Sequence, residues 1–193
     1  MVALLHPLGM YILALGAGFL IPLLYRSSPR FATGLFLFAL AGMTVIAGAG
    51  FFALAGGAPT IEIETAGIAP PFAINLRFGL YESLFVFAVN LAGLLAAWHY
   101  LPRLREQAAT LLLFVIMVMG IDGMIMTRDL FNLFIFIEIT SLATYSLIGF
   151  EGRESLLAAG FKYIIATSVA STLFLLGTAF IYYQTGTLNI DDI

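Results

Sequence analysis

Cysteine is absent from this 193-residue chain. That removes disulfides, thiolate metal sites, iron–sulfur clusters and thiol catalysis from anything the chain does by itself. Any redox centre it serves lies elsewhere. Charge is scarce as well: charged residues make up 10%, there are two histidines, and lysine occurs once, at Lys162. A net charge of -3, scattered along the sequence, excludes nucleic acid and other polyanions as partners. The histidines, His6 and His99, stand alone at the edges of apolar segments and have no metal-ligand spacing around them. No nucleotide loop, catalytic constellation, cofactor motif or quinone site is visible. Repeats with a 20 to 50 residue period and low-complexity linkers are also missing, so the chain reads as one domain, residues 1–193.

What remains is apolar. Hydrophobic residues make up 62% of the sequence and the mean hydropathy is +1.06, more than the core of a water-soluble domain can hide. Six stretches reach the roughly 20 residues that a membrane span requires. They lie near 6–25, 31–55, 78–101, 108–126, 130–150 and 156–184. The fold class expected is therefore an all-α integral membrane protein. The first stretch, HPLGMYILALGAGFLIPLLY, lacks a basic flank and is too long for a signal peptide, so it reads as a retained span. Pro22 within it is tolerated in a membrane helix, where neighbours re-satisfy the freed backbone.

Basic residues give an orientation. Arg26, Arg30, Arg103, Arg105 and Arg153 fall on one side, and Arg77 and Arg128 on the other. The positive-inside rule makes the first side cytoplasmic and both termini external, an N-out and C-out arrangement. Trp98 and Tyr100 beside His99 suit an interface anchor. The longest connector, residues 56–76, then lies outside, and its TIEIET alternation predicts a short hairpin or extended loop.

The fifth span, LFNLFIFIEITSLATYSLIGF, carries a carboxylate, Glu138, near its middle. A charged acid there costs roughly 2.5 to 3.5 kcal/mol, and such residues mark ion or proton paths. Ser141 and Tyr145, at i+3 and i+7, share its helix face and extend a wettable line. The plain alternative is a buried acid hydrogen-bonded to a neighbouring helix. Lys162 lies about 10 Å into the sixth span and Glu138 about 18 Å into the fifth, counted from the same side. At normal packing distance the two are expected on facing sides, roughly 11 to 13 Å apart, within reach of a few bridging waters. A lysine at that depth also reaches the interface by snorkelling.

Other polar residues have simpler explanations. Asp129 is placed to cap the fifth helix, with Asn132 assisting. Thr167, Ser168, Ser171 and Thr172 permit close helix approach. Asp122, four residues from the end of the fourth span, and Glu82, at the start of the third, read as solvated or locally paired interface charges.

The run MTRDLFNLFIFIEITSLATYSLIGFEGRESLLAAGFKYIIATSVASTLFLLGTAFIYYQTGTLN resembles the proton-conducting antiporter-like subunits of respiratory complex I, Mrp-type sodium/proton antiporters and membrane-bound hydrogenases. The D-L-F-N-L-F-x-F-x-E pattern, the later F-K-Y and the T-G-T-L-N ending are most like the Mrp D-type and hydrogenase-type members. The likeness runs from about Leu111 to Asn189; upstream it is confined to hydropathy and the PF-x-I-x-L-R approach to the third helix. It implies that Glu138 and Lys162 match the family's proton-transfer glutamate and lysine. Such subunits have about fourteen helices, with two inverted repeats, so the six here correspond to the N-terminal part. A broken seventh helix, whose lysine pairs with that glutamate, is not in this sequence. The resemblance therefore implies partners: other membrane subunits of a large complex in a cytoplasmic (inner) membrane, one of them supplying helix 7 onward. Two functions follow from it. The chain is either a proton or sodium/proton translocation piece, or a non-conducting scaffold that keeps the architecture. Any enzyme label belongs to the assembly.

Overall fold

The computed structural model describes residues 6–64, 74–150 and 154–193. Arg153 and the centre of the 56–76 connector fall outside them. In chain order the elements are α1 (Leu8–Ser27), α2 (Pro29–Ala55), β1 (Ile61–Glu64), β2 (Asn75–Phe78), α3 (Leu80–Leu104), α4 (Ala108–Met126), α5 (Leu130–Gly149) and α6 (Glu154–Thr185). All six helices are long and apolar enough to cross a bilayer, and the chain is an all-α multi-pass membrane protein. The 32-residue α6 measures about 48 Å at 1.5 Å per residue, more than the roughly 30 Å hydrocarbon core, so it tilts or projects.

Helix ends follow local chemistry. Ser28 is extended and Pro29 occupies the first turn of α2, where its fixed φ and missing N–H cost nothing. Before α3, residues Asn75–Phe78 pair with β1, so that helix begins at Leu80 rather than at 78. The antiparallel register is Ile61 with Phe78, Glu62 with Arg77, Ile63 with Leu76 and Glu64 with Asn75. This is the hairpin expected from TIEIET. Its β2 strand also bridges Leu76 to Thr127 beyond α4. Glu82 is locally paired as expected: it accepts from the Gly79 N–H at 3.2 Å and lies 3.9 Å from Arg77.

Helices α1 to α4 form a bundle in which α1 contacts α2 and α4, and α3 bridges α2 and α4. Its core includes Met10, Phe36, Met43, Val86, Leu111 and Val115. Helix α5 packs on α4, and α6 packs on α5. The outer surfaces carry large apolar side chains such as Phe19, Phe31, Phe85 and Leu173, while Thr44, Ser83, Asn90 and Asp122 are buried. Lipid takes the place of water as the outer solvent, so polar groups turn inward to find partners.

After α6 the chain turns at Gly186, whose φ of +72° is one that side chains with a Cβ rarely adopt. It returns to the α4–α5 corner. There the Leu130 N–H donates to Leu188 O and the Ile190 N–H to Arg128 O, at 2.9 and 2.8 Å. The Arg128 guanidinium grips Asp191 with two N–H groups. That bond holds the Asp191 carboxyl below the usual carboxylate range and raises the guanidinium further.

Candidate functional site

The start of α5 is fixed by its cap. Asp129 Oδ1 accepts the Asn132 N–H at 2.7 Å, and Asn132 Nδ2 donates to Thr127 Oγ1 at 3.0 Å. From Leu130, eight residues of rise put Glu138 about 12 Å into the helix.

Two close approaches set the register of α4 against α5. A methyl at Gly120 would lie 2.3 Å from Thr140 Oγ1, and one at Gly123 would lie 2.2 Å from the Phe136 ring. Phe136 and Thr140 therefore face α4, and Glu138, two residues from each, points to the opposite side. It is half-buried on a stripe with the exposed Phe131, Ile135 and Leu142. Ser141 and Tyr145 are half-buried too, and among the described residues neither hydrogen-bonds to Glu138.

Helix α6 meets α5 through Gly160, where a methyl would sit 3.7 Å from Tyr145 O. The stripe toward α5 continues through Ser171 and Thr178, both buried. Lys162 is two residues from Gly160, hence on the other side of α6. It is exposed beside Phe161, Ile165 and Val169. The expected facing arrangement of Glu138 and Lys162 is thus not the one found: both stand on outward stripes. Among the described residues neither makes a hydrogen bond or ion pair. The hydroxyls of Thr167, Ser171 and Thr172 bond to carbonyls of their own helix, at 2.8, 3.3 and 2.7 Å, which suits close packing.

A second polar site went unread in the sequence. Asp122 of α4 is 1% exposed and Asn90 of α3 is 0% exposed. Asn90 Nδ2 lies 2.9 Å from both Asp122 oxygens and 2.9 Å from Val86 O. Thr44 of α2 donates to Leu40 O at 2.8 Å and to Asn90 O at 3.2 Å. Tyr11 of α1 is near enough to feel the Asp122 charge and donates to Met126 Sδ at 3.8 Å. Asp122 is therefore paired, as one expectation had it, but not solvated, because the β1–β2 hairpin and α1 to α3 close over it. The available signal was Asn90 itself, a lone amide inside the apolar run VFAVNLAGLL. No set of three or more histidine, aspartate or glutamate side chains able to hold a metal occurs among the described residues.

Residues 127–193 match the family model described as NADH:quinone oxidoreductase/Mrp antiporter, TM. NADH-quinone oxidoreductase subunit N of Desulforudis audaxviator is 37% identical over 180 residues, which is 89% of this chain and 35% of that one. A Na(+)/H(+) antiporter protein of Alkalihalophilus pseudofirmus, the D-type component of its complex, is 33% identical over 68% of this chain and 27% of its own length. Among solved structures, a chain of the membrane-bound sulfane sulfur reductase, an archaeal respiratory membrane complex, superposes with a TM-score of 0.89 at 30% identity. The superposition covers 96% of this chain and 38% of that one. The chain thus spans about a third of the length of these relatives. In family model, sequence and fold, it resembles the antiporter-like membrane subunits of NADH-quinone oxidoreductases, Mrp antiporters and related respiratory membrane complexes.

Proposed function

We propose that this chain is a proton, or sodium/proton, translocation piece of a multisubunit complex in a cytoplasmic membrane, with both termini external. Glu138, with Ser141 and Tyr145 above it on the same face, receives and passes the ion. Lys162 is the cation whose field changes when Glu138 changes charge. Further membrane protein completes the path, including a segment equivalent to the seventh helix of the relatives.

One observation carries the reading: Glu138 and Lys162 stand without partners, among the described residues, on outward stripes of apolar spans. Each is costly there, by roughly 2.5 to 3.5 kcal/mol at the bilayer centre, unless protein or confined water covers it. Both are therefore groups whose partners come from outside the six helices. On this reading, covering protein meets the α5 and α6 stripes, and water between the two elements links the charges.

The experiment is ion flux in vesicles carrying the native complex, comparing wild type with Glu138→Gln at equal assembly. Collapse of flux with the complex intact is expected. Unchanged flux would sink the proposal and leave the non-conducting scaffold as the function.

A further inference from the structure

We infer that Asp122 and Asn90 form a second proton-binding site, separate from Glu138, in which Asp122 holds the proton against the Asn90 amide. This rests on α1 to α4 alone and does not depend on the path proposed for Glu138.

Hydrogen-bond bookkeeping points to the proton. An ionised carboxylate is acceptor-only, with about four lone-pair sites. Asp122 is offered one N–H, shared between its two oxygens, because the other N–H of Asn90 serves Val86 O. Meanwhile Asn90 Oδ1 is buried and has no donor. One side of the pair is short of donors and the other is an idle acceptor. A proton on Asp122 cures both. A modest rotation of the Asn90 amide lets the acid O–H donate to Asn90 Oδ1 while an Asn90 N–H donates to the second acid oxygen. One proton is taken up and no covalent bond is broken.

Charge leads to the same place. Of the titratable or charged groups on the packed elements, only Tyr11 of α1 faces the pair. Arg26 of α1, Arg30 of α2 and Glu82, His99 and Arg103 of α3 sit toward the ends of their helices. Arg77 of β2 is engaged with Glu82. Glu138 of α5 lies level with Asp122 across the Gly123–Phe136 contact but on the far face of its helix. No cation neutralises Asp122, and an uncompensated buried acid neutralises itself by binding a proton. A sodium ion fits less well, since the neighbouring Thr44 hydroxyl is already engaged with two carbonyls.

Exchange with water is feasible from the hairpin side. Asp122 is four residues, about 6 Å, from the end of α4. Met126, one turn on along the same face, is the residue that Tyr11 touches.

The chain has four aspartates, Asp122, Asp129, Asp191 and Asp192, and the last three sit at the α4–α5 corner or the exposed tail. The test is solid-state NMR of the full wild-type chain, 13C-labelled at the aspartate carboxyls, in lipid bilayers. At neutral pH one signal is expected to be that of a protonated acid. It should convert reversibly to carboxylate as pH rises, and it should vanish in Asp122→Asn. Four carboxylates at neutral pH would overturn the inference. So would a protonated signal that never titrates while the chain stays folded, which marks a static helix–helix bond. A signal that shifts when potassium is replaced by sodium at constant pH would overturn it too, and make this a sodium site instead. The wild-type titration stands even if the variant fails to fold.

Discussion

Replacing Gly123 with alanine tests whether α4 and α5 meet as closely as described. The added methyl would sit 2.2, 2.3 and 2.5 Å from three atoms of the Phe136 ring, where carbon contacts are best at about 3.5 to 4.0 Å. The ring or the helix must then move by roughly 1.3 Å to restore that contact distance. The ring is not free to swing, because Tyr11 lies against it at a centroid distance of 6.3 Å. Between membrane helices close packing replaces the hydrophobic effect as the main attraction, so an opened seam is costly. Overpacking of this kind costs about 1 to 3 kcal/mol. Equilibrium unfolding in mixed micelles measures it, with Gly34→Ala as control: nothing lies within 4 Å of a methyl there, and alanine is the better helix former by about 1 kcal/mol. Gly34→Ala is expected to be neutral or stabilising and Gly123→Ala clearly destabilising. Adding Phe136→Ala removes the obstacle, so the pair should show a coupling of about 0.5 to 3 kcal/mol. If Gly123→Ala matches wild type, or the double variant is simply additive, the seam is not as described.

Three further outcomes follow from the polar contacts. Asn90→Ala strips Asp122 of its donor and is expected to cost about 1 to 3 kcal/mol in the same unfolding assay; no loss would mean that Asp122 has another partner. Asp129→Ala removes the side chain that accepts from Asn132 N–H and should cost about 1 kcal/mol, read as faster amide exchange at Asn132 and Leu133 with the rest of α5 unchanged. The Arg128–Asp191 pair lowers the folded-state affinity of Asp191 for protons. Its stabilisation is therefore present above the unfolded value of about 3.9 and is lost as pH falls through the lower folded value. Because the pair is exposed, the effect is about 0.2 to 1 kcal/mol, visible as faster exchange of the Ile190 amide in Asp191→Asn than in wild type above that range, with the difference closing in acid.

The features legible in the sequence are those set by local chemistry. Six spans follow from length and hydropathy, the cap on α5 from an aspartate three residues before an asparagine, and the hairpin from alternating residues. The sides of helices are a different matter. Helices α4, α5 and α6 are apolar almost all round, so no stripe announces which face meets which neighbour. Glycines decide it: Gly120, Gly123 and Gly160 are where helices approach, and each fixes the azimuth of a charged residue close by on its own helix or the facing one. Sequence reading gave Lys162 a face toward α5 because it weighed depth without azimuth. The same gap hid Asp122, whose four-residue distance from a helix end suggests solvent. A hairpin strand bridging to Thr127 closes that route, and such a contact is set by tertiary folding.

These azimuths divide the chain into two electrostatic compartments. Asp122 and Asn90 sit inside the α1–α4 bundle, and α4 separates them from the outward stripes of α5 and α6. Yet Asp122 and Glu138 are level along adjoining, antiparallel helices, joined through Gly123 and Phe136. Thr140, two residues from Glu138, has a buried hydroxyl without a partner facing Gly120. A change in charge on one acid is therefore felt by the other across two packed backbones. In such a medium an interaction over roughly 10 to 15 Å is attenuated far less than at an exposed surface. Protonation of Asp122 would lower the repulsion that an ionised Glu138 experiences, so the two sites favour opposite charge states. Asp122→Asn, which fixes the inner site as neutral, should then shift the pH dependence of flux through Glu138 toward lower pH, by favouring its ionised form. A profile that stays in place would show that the compartments are electrostatically independent.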